Sequence, residues 1–483
     1  MRKQILWLVV FILAFLITSV ICVQLTQPPF WLNRKVIAKL HQNPEYLLVT
    51  DLDTDGQSEI LVIDEYRTLF WIHSLFDNPS VIKIAGCKAL EDYKSAEEIP
   101  MRSVPVFVGD KLRLLRWRND KATFESLSFV PNKVDGLGIC QGKGTGTVFL
   151  AVYSGANAWV FALTEEGEWE FAGKFVSEGF RENPVHSSGY IHDLADLDKD
   201  GKLDAICVQW HPGEWAWVVW GNEKKGETDL GTWTRFGYPL VSDLNGDGWD
   251  EIAMVASSPA EHIQIWRFDP KRKKLKVIAK SQALNLALGW QLFDLDGDGL
   301  DEIVVADYCN GEWLVFKVRH ERLWMWRGRK VGLGHGLIIG SVRYLVTFAE
   351  RKVWLFPPFI WFDGKKPQWK WREEVLHSIL WELPKGKDAL SPSKWHKLEA
   401  PFELDIVADV DGDSNNELIG RDGRGCYRFY WFQKAKSGEL QWRSTFLGKH
   451  RIWDWTLIRE GNRRGLCIAW SNGLIELLTV HRR

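Results

Sequence analysis

The stretch "DLDGDGLDEIVV", residues 294–305, sets five acidic side chains in nine positions and then turns apolar. Like charges this close repel one another, so the cluster persists in a folded chain only if something neutralises it. Carboxylates stand at positions 1, 3, 5 and 9 around a glycine at position 6, and the Ile-Val-Val that follows suits a strand.

The stretch is repeated. "DLDTDGQSE" (51–59), "DLDKDGKLD" (196–204), "DLNGDGWDE" (243–251) and "DVDGDSNNE" (409–417) share its plan, and the five starts lie 145, 47, 51 and 115 residues apart. Those gaps are near three, one, one and two units of about fifty residues, which predicts worn copies in between. "SVPVFVGDKLRLLRW", "TVFLAVYSGANAWVFAL" and "RYLVTFAERKVWLF" supply hairpins without the acids, and "GLCIAWSNGLIELLTV" adds one at the C-terminus. Third runs such as "EWEFAGKFV" and "LKVIAK" complete a unit of four short strands, the pattern of a β-propeller blade. The fold predicted is all-β, a propeller of about eight four-stranded blades (range seven to nine, with nine hairpin units countable). "KVIAK" occurs at 35–39 and at 276–280, each time shortly before an acidic loop. The first copy has no blade ahead of it and the last repeat lacks an outermost strand, so residues 35–40 are expected to complete the last blade and close the ring. The segment 357–401 reads as a long loop or insertion over one face.

Oxygen-only ligands at alternate positions of a tight turn suit Ca²⁺, and the glycine lets the chain curl so that the carbonyl of position 7 also points inward. Zinc would want His or Cys, and Mg²⁺ fewer carboxylates. An EF-hand is excluded, because position 12 is Val62, Cys207, Met254, Val305 or Gly420 where a bidentate Glu is needed, and the flanks are strand-like.

The nine-residue loop D-x-[DN]-x-D-G-x-x-[DE] before an apolar strand resembles the FG-GAP/VCBS repeats of integrin α-subunit-like propellers, over roughly residues 35–483. The resemblance implies that each loop joins the first and second strands of its blade and that all lie on one face. It also implies up to five structural calcium sites: Asp51, Asp53, Asp55 and Glu59; Asp196, Asp198, Asp200 and Asp204; Asp243, Asn245, Asp247 and Glu251; Asp294, Asp296, Asp298 and Glu302; Asp409, Asp411, Asp413 and Glu417. Ser414 replaces the glycine and Asn245 removes a charge, which weakens those two sites. Asp301 is expected to point outward and free.

Arg2 and Lys3 precede an uncharged run at 5–23, near the length that spans a bilayer and longer than an ordinary signal core. The reading taken is an uncleaved anchor with residues 1–4 cytoplasmic, 24–34 a linker and the propeller outside the cytoplasm, in the envelope or extracellular; a cleaved signal is the alternative and makes the protein secreted. Net charge is −2, with 61 basic against 63 acidic residues, which gives no general attraction to nucleic acid. Seven cysteines show no metal spacing; Cys207 and Cys467 lie in apolar runs and read as buried thiols.

Catalytic strings are missing: "HERLW" has Trp324 where H-E-x-x-H needs its second His, and no G-x-S-x-G occurs. "GKGTGT" (142–147) reads as a worn repeat turn in place of a metal loop. With the acidic loops on one face, a polar rim is expected on the other, from Arg181, His186, His211, Glu214, Glu261, His262, Tyr308 and Glu312. Tryptophan is abundant at 28 residues; Trp217, Trp220, Trp266 and Trp354 are expected between blades, and Trp369, Trp371, Trp381 and Trp395 exposed for stacking. Two functions fit: a non-enzymatic binding or adhesion module for a protein or polysaccharide partner, with the membrane contacted only through the anchor, or a lyase-like enzyme acting on acidic polysaccharide through Arg181, His186 and His211.

Overall fold

The computed structural model describes residues 30–482 apart from 90–100, 120, 131–133, 142–146, 182–188, 210–213, 223–224, 234–236, 258–260, 285–286, 308–311, 320, 331–338, 342–343, 350–360, 363–366, 369–376, 385, 401, 412–416 and 435–439. Alternating apolar runs broken by polar turns become antiparallel ladders: eight four-stranded sheets and one of three strands follow one another along the chain. We number these blades 1 to 9, at 44–84, 104–126, 136–176, 190–232, 240–280, 287–330, 339–399, 402–448 and 452–482. The three-stranded sheet is blade 2, where the place of a first strand is marked only by the bridge between Lys88 and Phe107.

Second strands carry apolar runs because both their faces are covered by neighbouring blades, most completely in blades 1 and 5. Glu59–Asp64 and Glu251–Ala256 are buried at every position. The cores accordingly lie between sheets. Ile206, Val208 and Trp220 of blade 4 meet Ile252 and Met254 of blade 5; Trp217 packs between blades 3 and 4. Trp266 is half-buried against the blade 4–5 core, while Trp354 lies outside the described residues.

The ring closes as expected. Phe30–Lys39 pairs antiparallel with Leu474–Arg482, which makes it the outermost strand of blade 9. It begins at Phe30, inside the segment assigned to a linker. Arg34 holds Glu476 through two hydrogen bonds of 2.9 and 2.8 Å, and Trp470 donates to the same carboxylate at 2.8 Å. Ile37 and Ala38 turn inward to the core shared by blades 9 and 1, with Leu47, Ile60 and Ile475.

Blade 7 departs from the sequence reading. Tyr344–Ala349 pairs with His377–Glu382 and not with the run at 350–356, which lies outside the described residues. The segment 357–401 is therefore only partly an insertion, since His377–Glu382 and His396–Glu399 are strands of this blade. Trp381 belongs to that sheet, and Trp395 is buried, edge-on to Trp313 with its Nε1 donating to the Ala389 carbonyl at 2.7 Å. Trp395 is therefore not exposed for stacking, and Trp381 stands in a strand and not in an open loop; Trp369 and Trp371 lie outside the described residues. Cys207 and Cys467 are buried free thiols, as expected. No described helix is long and apolar enough to cross a membrane, and residues 5–23 fall outside the described part.

Val36 and Ile37 are neighbours in the closing strand but one is exposed and the other buried, so two adjacent truncations separate its outward and inward faces. Ile37→Ala should cost about 2–5 kcal/mol by chemical denaturation, as for a buried large-to-small change, and Val36→Ala, 54% exposed, less than about 0.5 kcal/mol. Equal effects would show that the strand is not a structural part of the ring.

Candidate metal centres in the acidic loops

All five acidic loops join the first and second strands of their blades, at the same end of each sheet (blades 1, 4, 5, 6 and 8). The carboxylate at position 9 is the first residue of the second strand, and Glu59, Asp204, Glu251 and Glu302 are buried there. One backbone group holds it in every loop. The amide of position 2 donates to one carboxylate oxygen, from Leu52 to Glu59 (2.9 Å), Leu197 to Asp204 (3.0 Å), Leu244 to Glu251 (2.9 Å), Leu295 to Glu302 (2.8 Å) and Val410 to Glu417 (2.7 Å). Position 2 can serve because its apolar side chain is sunk in the core, which fixes its peptide. The other oxygen of Glu251 and Glu302 is turned to side chains at the loop, whereas that of Asp204 accepts from the Gly221 amide at 2.9 Å.

Position 1 closes the turn by accepting from the amide of position 6, as Asp51 does from Gly56 (3.3 Å) and Asp294 from Gly299 (3.0 Å). Gly56, Gly201, Gly248 and Gly299 all have φ between 82° and 86°, which explains the glycine at position 6. Position 4 is left-handed as well, filled by Gly246 and Gly297 in two loops but by Thr54 (φ 62°) and Lys199 (φ 56°) in two others. That second requirement was not read from the sequence, although the recurring glycines at position 4 carried it.

Carboxylates converge in four of the five loops, the 243–251 loop forming no such cluster among the described residues. One ligand atom each from Asp51, Asp53, Asp55 and Glu59 lie within 4.8 Å of one another, and the same holds for Asp196, Asp198 and Asp204, for Asp294, Asp296 and Glu302, and for Asp409, Asp411 and Glu417. Asp413 lies outside the described residues. Burial raises these acids: Glu59 to about 9, Glu251 to about 8, Glu302 and Asp204 to about 7. Neighbouring carboxylates add to the rise, whereas the position 2 amide opposes it.

Basic side chains have entered some of the loops. The buried Lys317, from the third strand of blade 6, reaches both oxygens of Asp296 (3.2 Å each), Asp298 (2.8 Å) and Glu302. Arg267, from the third strand of blade 5, pairs with Asp247 (2.7 Å) and approaches Glu251 (3.9 Å), while Asn245 donates to Glu251. Lys225 of blade 4 contacts Asp198 and lies 3.5 Å from Asp200. In blade 1 the ion pair is a looser one, with the part-exposed Arg102 3.6 Å from Asp51. Trp71 Nε1 also donates to Glu59 there, at 3.0 Å. Sequence reading missed these residues, although a lone lysine inside the apolar strand "EWLVFKVR" is itself a signal that acids lie opposite. Asp301, expected to be free, accepts from Ser242 of blade 5 at 2.8 Å and ties two successive loops together.

Of the rim residues, Arg181, Glu214, Glu261, His262 and Glu312 occupy the other end of the sheets, between second and third strands or between blades. Arg181 pairs with Glu178 at the surface (2.9 Å), the Glu214 and Glu261 carbonyls accept from Trp233 and Leu284, and Gln264 donates to His262 (2.7 Å). Glu312 heads the third strand of blade 6; His186, His211 and Tyr308 lie outside the described residues.

Residues 243–305, which hold two of the five loops, match the family model of an FG-GAP-like repeat. The chain is thus an all-β propeller that carries an FG-GAP-like repeat. No curated protein shows significant sequence similarity to it. Among solved structures it is similar to Sqt1 of Saccharomyces cerevisiae, at 10% identity over 92% of this chain and 98% of that one, with a TM-score of 0.40. It is also similar to BBS1N, solved in complex with ARL6DN, at 12% identity over 94% and 97% of the two chains, with a TM-score of 0.36. Scores this low leave the fold assignment to rest on the sheets themselves.

The buried acids set a pH dependence. A carboxyl raised by folding binds its proton more tightly in the folded than in the unfolded chain, so its stabilisation is complete below its ordinary value and lost as pH rises through the folded value. For Glu59 that window runs from 4.5 to about 9, and for Asp204 from 3.8 to about 7. With divalent ions chelated, the thermal midpoint should therefore fall between about pH 5 and 9. A midpoint that climbs across this range contradicts the assignment of these acids as raised by burial.

Proposed function

We propose that this protein is a membrane-anchored, extracytoplasmic propeller, stabilised by calcium, that acts as a non-enzymatic binding module for a protein or polysaccharide partner. The observation that carries it is the loop at 51–59, where four carboxylates converge within 4.8 Å on an oxygen-only site. Asp51, Asp53, Asp55 and Glu59 would hold the ion. It supplies charge neutralisation and ties the turn to the second strand. A turn whose protein oxygens saturate its metal leaves no open position for substrate, which separates it from a catalytic metal site. The metal end of the propeller is then a staple, and the partner is read by the opposite rim, where Arg181, Glu214, Glu261, His262 and Glu312 stand on turns of blades 3 to 6. Such turns carry charge and hydrogen-bonding capacity on a rigid frame. The run at 5–23 supports the anchor and the outward placement, where millimolar calcium is available to weak sites.

Calcium added to the chelated protein should raise the thermal midpoint, since a ligand that binds only the folded state stabilises it by about 2.7 kcal/mol at a hundredfold excess over Kd. Uptake near neutral pH should also release protons, because Glu59, raised to about 9, must ionise to coordinate. Titration calorimetry in buffers of different ionisation enthalpy reads that release, and an unchanged midpoint with no proton release overturns the calcium assignment. The partner class is tested by a glycan and surface-protein array with the full chain, in which Arg181→Ala and Glu261→Ala should weaken the retained ligand. Appearance of unsaturated product from acidic polysaccharide, lost on His211→Ala, would replace the binding role by a lyase.

A further inference from the structure

The five loops share one frame but not one electrostatic solution. In each blade with an acidic loop, the second and third strands pair, and one step past their last paired residues a third-strand side chain stands opposite the position 9 acid. That residue is His73 in blade 1, Trp220 in blade 4, Arg267 in blade 5, Lys317 in blade 6 and Trp431 in blade 8. The register therefore offers every blade the same opening into its loop, and only blades 5 and 6 fill it with a cation.

Blade 6 fills it most completely. Lys317 is 1% exposed, and its ammonium reaches Asp296, Asp298 and Glu302. An ammonium has three N–H donors, and three carboxylates receive them here. These carboxylates are three of the four that the resemblance assigns to calcium. An ion bound by them at about 2.3–2.6 Å would sit where the ammonium already lies, and two cations cannot share that space. The ligands of loop 294–302 thus do not fit a metal while Lys317 keeps its place. Lys317 cannot readily leave it either: its strand is buried on both faces from Trp313 to Val318, and withdrawal would leave a buried charge unpaired. Blade 1 differs. Its residue at the same step, His73, is stacked on Trp71 with ring centroids 4.8 Å apart, and the loop meets a cation only at the part-exposed Arg102.

We propose that Lys317 is a built-in counterion that occupies the calcium position of the 294–302 loop, and that Arg267 does the same in the 243–251 loop. The FG-GAP-like frame is kept in these two blades, while the ion has been replaced by a side chain of the same sheet. Blades 5 and 6 are then stapled permanently, whatever the calcium level, and calcium dependence is confined to loops without such a cation, of which 51–59 is the clearest. This rests on the calcium reading of the 51–59 loop only for that last clause.

The test is calcium stoichiometry by equilibrium dialysis of the full chain in mild detergent, together with thermal midpoints with calcium and with chelator. Lys317→Met should bind one more calcium per chain than the wild type, and its midpoint should become more strongly calcium-dependent. If the variant unfolds in chelator, calcium should restore it. Asp296→Asn in the wild-type background should leave the calcium count unchanged, because no ion is bound there to lose. A count that drops by one on Asp296→Asn overturns the proposal, as does a Lys317→Met chain that neither gains an ion nor is refolded by one. A wild type that binds no calcium at all defeats the reading of loop 51–59 instead, and the gain on Lys317→Met still decides the role of the lysine.

Discussion

The carboxylate that heads the second strand in the five blades with an acidic loop is the constraint on which that end of the propeller depends. It is buried in four of them and half-buried as Glu417, and it is oriented because the amide of position 2 grips one of its oxygens in all five loops. A buried acid so placed must be protonated, paired with a cation or bound to a metal. Each blade has to choose among these, and the choice sets how it responds to pH and to calcium. Glu59 and Glu302 start from the same frame, yet one faces a cluster of carboxylates and the other a lysine.

Much of this was legible in the sequence. The repeat spacing and the alternation of apolar runs gave the sheets, and the two copies of "KVIAK" pointed to the closing strand because an outermost strand without a blade needs a partner edge. The glycine at position 6 announced its left-handed backbone. Other features stayed hidden for a physical reason: they depend on which residues meet across strands, and that needs register. Lys317 is fifteen residues from Glu302, Arg267 sixteen from Glu251, and nothing in their local sequence says that they face the loops. Blade 7 was misread for a related reason. Its second hairpin partner is displaced by about thirty residues, so the nearest apolar run at 350–356 looked like the natural mate, whereas His377–Glu382 fills the place. Trp395 followed that error, since a tryptophan assigned to a loop was expected to be exposed.

The two ends of the sheets divide the labour. At one end, turns between first and second strands are tightened by carboxylates and cations and interlock through contacts such as Ser242 with Asp301. At the other, turns between second and third strands are released from that duty and can vary in length and charge. Ring closure through Arg34 and Glu476 ties the N-terminal strand onto the last blade, so that Leu474–Arg482 is not left as an open edge.

Blade 6 holds its loop with Lys317, and under the calcium reading blade 1 holds its loop with an ion. A crystal structure grown in calcium and measured with anomalous scattering tests this directly. The account predicts an ion among Asp51, Asp53, Asp55 and Glu59, with the Lys317 ammonium still seated on Asp296, Asp298 and Glu302. Anomalous density in the 294–302 loop with Lys317 turned away would contradict it.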